Sequence, residues 1–216
     1  MTESEIAGWF GDRVALFSLV ITILLFLIFL LKHKKDNRFI KVILISYIFL
    51  LVDQITKTWV ILNMNLYDEI LIFDWFRIFY IENNGMAFGM ELPNPYGKLI
   101  LTLFRIIVVG WGMFYVHKLI KQNSFPSGLL ICFGLIIGGA LGNIIDSTFY
   151  GDYLFHGKVV DMLSFPFFTV DLPNWLSFLE GSDGMFTFFA PVFNIADSGI
   201  FVGIVSILLF YRRHFK

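Results

Sequence analysis

Phe193-Asn194-Ile195-Ala196-Asp197-Ser198 opens the last apolar run of the chain, which continues to Tyr211. The run is long enough to cross a bilayer, yet it begins with an amide and an acid. An ionisable side chain in hydrocarbon costs about 2.5 to 3.5 kcal/mol on insertion scales, so an acid kept there serves a function or answers a partner. Asn194 and Asp197 are three residues apart and would share one helix face. A second carboxylate is at hand in Val159-Val160-Asp161-Met162, a short apolar segment able to reach the mouth of the same helix. Two carboxylates without an evident nucleophile point to water activated by an acid/base pair.

Outward from this stretch, the composition is that of a membrane protein. Of 216 residues, 57% are hydrophobic and 19% aromatic, only 15% are charged, and the mean hydropathy is +0.77. The single cysteine, Cys132, lies in an apolar run and excludes an intrachain disulfide. Runs at about 14 to 31, 42 to 62, 99 to 116, 128 to 146 and 192 to 211 read as five spans. The first does not read as a secretory leader. Glu3, Glu5 and Asp12 stand where such a leader is basic, and the run ends in Lys32-His33-Lys34-Lys35 in place of a cleavage site. Lys32, Lys34, Lys35, Arg38, Lys41, Lys118, Lys121, Arg212, Arg213 and Lys216 share one set of connections, against Arg13, Arg77 and Lys158 on the other. The positive-inside rule makes the first set cytoplasmic. The N-terminus and segments 63 to 98 and 147 to 191 then face outward, with both acids.

Further polar groups stand in or beside the spans. Asp53 and Lys57, four apart and opposite in sign, read as a structural ion pair facing other helices. Arg105 either faces the bundle or snorkels on its long stem. Gly134, Gly138 and Gly142 recur every fourth residue and make a flat stripe for close helix approach. Asn143 and Asp146 repeat the Asn-x-x-Asp spacing of Asn194 and Asp197, so Asp146 competes with Asp161 as the second acid. Residues 69 to 82, rich in β-branched and aromatic side chains around Asp74 and Arg77, predict a small outward sheet. A turn-forming stretch with amides, Asn83-Asn84-Gly85-Met86-Ala87-Phe88-Gly89, follows it.

Together these blocks resemble the bacterial lipoprotein signal peptidases, the signal peptidase II family. The resemblance rests on Asp53-x-x-x-Lys57, Asn83-x-Gly85-Met-Ala87-Phe88, Gly138-Gly-Ala-Leu-Gly142-Asn143-Ile-Ile-Asp146, Val159-Val160-Asp161 and Phe193-Asn194-x-Ala196-Asp197, in this order over about residues 42 to 211. It implies an aspartyl endopeptidase of the bacterial inner membrane that removes the signal peptide of a prolipoprotein just before a diacylglyceryl-modified cysteine. Asp161 and Asp197 match the family's catalytic aspartates. By the same match Asn83, Gly85, Asn143, Asp146 and Asn194 surround the substrate or hold the dyad, and Asp53 and Lys57 support it. The chain departs from the pattern at Ser147, where the family usually carries arginine, in its extra first span, and in longer spacers around Asp161.

The predicted fold is an all-α polytopic membrane protein. A four-helix catalytic domain, residues 42 to 216, follows an N-terminal span and basic loop, residues 1 to 41. A sheet and an aromatic-rich loop complete the outward face. That loop, 162 to 191, has eight aromatics and three charges, all acidic. It reads as a partly helical flap in the headgroup layer. Expected partners are the lipid-modified prolipoprotein and membrane lipid, with no nucleic acid, on a monomeric protein. No cofactor is expected, and His156, without Cys or His at ligand spacing, predicts no metal site. The competing class is a small ion- or proton-coupled transporter whose Asp53, Lys57, Arg105, Asp146 and Asp197 stand at varied depths along a path.

Overall fold

The computed structural model describes residues 21–23, 25, 32, 37–84, 96–122, 125–151, 153–171, 173, 175 and 185–215. Four helices among these are long and apolar enough to cross a membrane. They are α1 (Asn37–Asn63), α2 (Gly97–Gln122), α3 (Ser127–Phe149) and α4 (Ile195–Ser206), the last prolonged by a π turn and a 3-10 turn to Phe215. Most of the expected span at 14 to 31 lies outside the described residues, as do Gly85 and the middle of the 162 to 191 loop.

Helix α3 is the central post, because small residues let two neighbours close on it. A methyl group at Gly138 would meet the backbone of Ser46 on α1, and one at Gly139 would meet the carbonyl of Ala196 on α4. The glycine stripe expected from sequence is therefore the α1–α3 contact, and Gly139 adds a second close approach on the α4 side. Half of the α3 span is buried, against 11% for α2, most of whose surface is apolar and exposed. Below the sheet-bearing end, Phe39, Val42, Ile120, Leu129 and Phe133 join α1, α2 and α3 in one core cluster.

The outward segments build a four-stranded antiparallel sheet in the order β1 (Glu69–Phe73), β2 (Phe76–Asn83), β3 (Val159–Ser164), β6 (Val192–Phe193). The small sheet expected at 69 to 82 is its first half, folded as a hairpin. The Val159-Val160-Asp161 segment enters the same sheet, paired so that Asp161 lies opposite Ile81. One reading needs correction. Val192 and Phe193 are strand, so the last span begins only at Ile195. The described ends of the aromatic loop pair as two antiparallel strands, β4 (Phe168–Val170) with β5 (Phe186–Phe188), and the residues between them, where the flap is expected to be partly helical, lie mostly outside the described residues.

Strand alternation then sorts the side chains of β3. Val160 and Met162 pack with Val60, Met64 and Tyr80 in a small cluster at the end of α1. Asp161 takes the other face. The strand is delivered there by a return of the chain over α3, where the amides of Phe155, Gly157 and Lys158 donate to the carbonyls of Thr148, Ser147 and Tyr150. Those bonds satisfy carbonyls that the end of a helix leaves without partners.

Candidate active site

Asn194 is not on the face of α4 but is its N-cap. Its side chain accepts from the Asp197 amide at 2.9 Å, and the Asp197 carboxylate accepts from the Asn194 amide at 3.4 Å, a reciprocal capping box. The geometry follows from β6 ending at Phe193, since an N-cap residue keeps extended backbone while the next residues turn helical. Sequence spacing had suggested two neighbours on a helix; the strand before them makes one a clasp for the other.

The same amide reaches the second acid. Asn194 Nδ2 donates to Asp161 Oδ1 at 2.6 Å, and Asn83 Nδ2, from β2, donates to Asp161 Oδ2 at 3.1 Å. Asn143 Nδ2, from α3, donates to Asp197 Oδ1 at 2.8 Å. Three amides from three different elements thus orient two carboxylates. Asp161 is 1% exposed, whereas Asp197 is partly open. Burial, and then the neighbouring charge of Asp197, push Asp161 up to about 7, against the hydrogen bonds from Asn83 and Asn194 that pull it down. Asp161 therefore keeps its proton below about pH 7.

A second cluster lies just beneath. Lys57 Nζ is 2.9 Å from Asp53 Oδ2 and 2.7 Å from Asp146 Oδ2, with all three side chains fully buried, and it also donates to Asn143 Oδ1 at 3.1 Å. Asp53 Oδ1 accepts from the amide of Ala196 at 2.8 Å, and Asp146 Oδ2 accepts from the amide of Val160 at 3.3 Å. One supporting acid therefore holds the residue before Asp197, and the other holds the residue before Asp161. Lys57 ties both together. The expected Asp53–Lys57 pair is a triad, and Asp146 belongs to it and not to the upper pair.

Two members of this cluster escaped the sequence reading. Gln54 donates to Asp146 Oδ1 at 2.9 Å and to Asp53 Oδ2 at 3.2 Å, and Tyr150 in turn donates to Gln54 Oε1 at 2.9 Å. A glutamine inside an apolar span, next to Asp53, was the available signal. Tyr150 carried none, because its place depends on where α3 ends. Gly85 lies outside the described residues. His156 is partly exposed in the loop, with Nδ1 3.0 Å from the Leu154 carbonyl oxygen. The ionisable groups proposed for a transporter path do not stand at varied depths: Asp53, Lys57, Asp146 and Asp197 are joined in one network at the sheet-bearing end.

A carboxylate in the first turn of a membrane span, joined through one asparagine to a second carboxylate on a small sheet, fits a class, the membrane aspartyl peptidases. The chain matches the model of the signal peptidase (SPase) II family over residues 45–213 and belongs to that family. The lipoprotein signal peptidase of Porphyromonas gingivalis is 41% identical over 184 residues, 76% of this chain and 79% of that protein. The lipoprotein signal peptidase of Amoebophilus asiaticus is 37% identical over 190 residues, 82% of this chain and 78% of that one. Two solved structures of bacterial membrane enzymes, determined by the in meso method at 2.3 and 1.9 Å, are also similar. The first has a TM-score of 0.55 at 25% identity, over 80% of this chain and 87% of its own. The second has a TM-score of 0.52 at 26% identity, over 78% and 90%.

Proposed function

We propose that this protein cleaves the signal peptide of diacylglyceryl-modified prolipoproteins just before the lipidated cysteine, with Asp161 and Asp197 as the catalytic pair. The observation that carries the assignment is the bridge made by Asn194, which donates to one carboxylate and caps the helix of the other. Asp197, partly open, takes a proton from the attacking water. Asp161, buried and protonated, donates to the scissile carbonyl oxygen and later to the leaving amine. Asn83, Asn143 and Asn194 fix the two carboxylates. Gly85, which lies outside the described residues, contributes to substrate binding. Asp53, Lys57 and Asp146 hold the backbone on which the pair is mounted.

Residues 42 to 216 form the catalytic membrane domain, and residues 1 to 41 add a fifth span with its basic loop. The sheet-bearing end lies at the outer leaflet of the bacterial inner membrane, and the protein works as a monomer in contact with lipid. Charge placement supports this orientation: Lys118, Lys121, Arg212 and Arg213 gather at the opposite ends of α2 and α4. A thiol label on a cysteine introduced near the N-terminus should react from outside the cell; reaction from the cytoplasmic side alone would reverse the topology.

The direct test is incubation of the purified protein in detergent with a diacylglyceryl-modified precursor peptide, followed by mass. The expected products are the free signal peptide and the lipidated fragment; an intact precursor would refute the activity. The same assay checks the acid of the pair. Cleavage needs Asp161 protonated, so the rate should hold below about pH 7 and fall roughly tenfold per pH unit above it. The stability sign agrees. A carboxyl raised from about 4 contributes stability at low pH that is lost as pH rises through about 7. Asp161→Asn should therefore flatten the fall in melting temperature between pH 5 and 8, and a basic limb unchanged in position by conditions that titrate Asp161 would oppose the assignment.

A further inference from the structure

We infer that Arg105, on α2, is a positioning residue for the carboxylate pair, supplying across the helix contact a cation that acts on Asp197 through Ser147 and Asn143. The inference rests on the reading of Asp161 and Asp197 as the reacting acids. Its basis is a set of polar contacts that meet at Asn143, Ser147 on its backbone carbonyl and Asp197 on its side-chain amide. Arg105 Nη1 donates to Ser147 Oγ at 3.2 Å, Ser147 Oγ donates to the carbonyl of Asn143 at 2.8 Å, and Asn143 Nδ2 donates to Asp197 Oδ1 at 2.8 Å. The Asp197 carboxylate is within electrostatic range of the guanidinium. Arg105 therefore turns into the bundle and does not snorkel.

Helix geometry shows that this placement is built into α2. Lys98, Thr102 and Arg105 recur at the spacing of one helical stripe. Lys98 donates to Asn84 Oδ1 at 3.1 Å, the neighbour of Asn83, and Thr102 donates to the carbonyl of Phe155 at 3.3 Å, in the return that delivers β3. The remaining surface of α2 is largely apolar and exposed, with Ile107, Trp111 and Phe114 each 65% exposed or more. One polar stripe thus seats an otherwise lipid-facing helix against the site.

Charge counting shows why a second cation is useful there. Asp53, Asp146, Asp161 and Asp197 are four carboxylates, and Lys57 is committed to the lower two. The remaining negative charge of the upper pair has the Arg105 guanidinium within electrostatic range from the α2 side. An uncompensated charge at this depth is costly and would favour a second proton, which removes the base. Ser147 is where the family pattern carries arginine. Its short side chain meets the Arg105 guanidinium, so the charge comes from α2 where the pattern would draw it from α3.

The test uses the full-length protein in detergent with the diacylglyceryl-modified precursor peptide, comparing Arg105→Gln, Arg105→Lys, the double variant Arg105→Gln/Ser147→Arg, and Asp197→Asn. Arg105→Gln should lower kcat about 10- to 100-fold per folded molecule with KM nearly unchanged, the size of a lost hydrogen bond and charge at a carboxylate network. Arg105→Lys should recover part of the loss. The double variant should recover most of it, because it returns a guanidinium to the same space from α3. Wild-type kinetics in Arg105→Gln, a rise in KM alone, or a loss that neither replacement cation recovers would each overturn the inference. Asp197→Asn separates the two levels: full activity there would refute the catalytic pair itself, whereas an inactive Asp197→Asn with unaltered Arg105→Gln would refute the role of Arg105 alone.

Discussion

Asp161→Asn and Asp197→Asn should each reduce cleavage of the lipid-modified precursor by about 100- to 10,000-fold while the protein still inserts and accumulates. Each substitution keeps the shape and removes the group that can exchange a proton. In Asp197→Asn the new side-chain oxygen can still accept from Asn143, and Asn194 Oδ1 still accepts from the amide of residue 197, while the returning half of the capping box, from the Asn194 amide to Asp197 Oδ2, is lost together with the base. At position 161 both carboxylate oxygens accept from amides, Asn83 and Asn194, so an amide nitrogen there faces a donor. That mismatch costs about 1 to 3 kcal/mol at low pH. It sets against the relief from a buried charge at high pH, which is why the melting temperature of Asp161→Asn is to be read across pH. A chelator should leave the wild-type rate unchanged. Near-normal turnover in either variant, or activity lost with chelator and restored by zinc, would end the two-carboxylate mechanism.

Lys57→Met should be the most destabilising single change in the membrane core, at about 3 to 5 kcal/mol. The side chain is fully buried and 2.7 and 2.9 Å from two buried carboxylates, which its removal leaves facing one another without a counter-charge. The damage reaches the site by a short route. Asp53 holds the amide of Ala196 and Asp146 holds the amide of Val160, each one residue before a member of the pair. Movement of either carboxylate therefore misplaces Asp197 or Asp161, so activity per folded molecule should fall together with the melting temperature. Adding Asp53→Asn to Lys57→Met should restore part of the stability, because it removes one of the two stranded charges. It should not restore full activity, since the cation that donates to Asn143 is still missing. A Lys57→Met protein with wild-type melting temperature and turnover would show that the triad carries no structural burden.

The active-site assignment also explains the arrangement of the two clusters. The upper pair must exchange protons with water and substrate, so one member is open and the other has its proton held by burial. The lower triad has no such duty and is closed on itself. Stacking the two lets rigid ion pairing orient groups that must titrate, and Asn143 joins them by accepting from Lys57 and donating to Asp197.

The amino-acid sequence by itself determined the four described spans, the small sheet at 69 to 82, the glycine stripe of α3 and the set of acids from which the pair is drawn, because hydropathy, alternation and residue spacing are local properties of the chain. It also paired Asp53 with Lys57, four apart on one helix. Tertiary structure decided the division of labour among the carboxylates. Asp146 and Asp161 were equivalent candidates from spacing alone, and only the return of the chain over α3 and the entry of β3 beside β2 put one under Lys57 and the other under Asn194. Asn194 became a cap because β6 ends one residue before it, Arg105 turned inward because Ser147 and Asp197 lie across the α2 contact, and Tyr150 met Gln54 because α3 stops there. The bonds from Arg105 to Ser147, Tyr150 to Gln54 and Ala196 to Asp53 join residues 42, 96 and 143 positions apart, and hydrogen bonds over that separation exist only once the helices have packed.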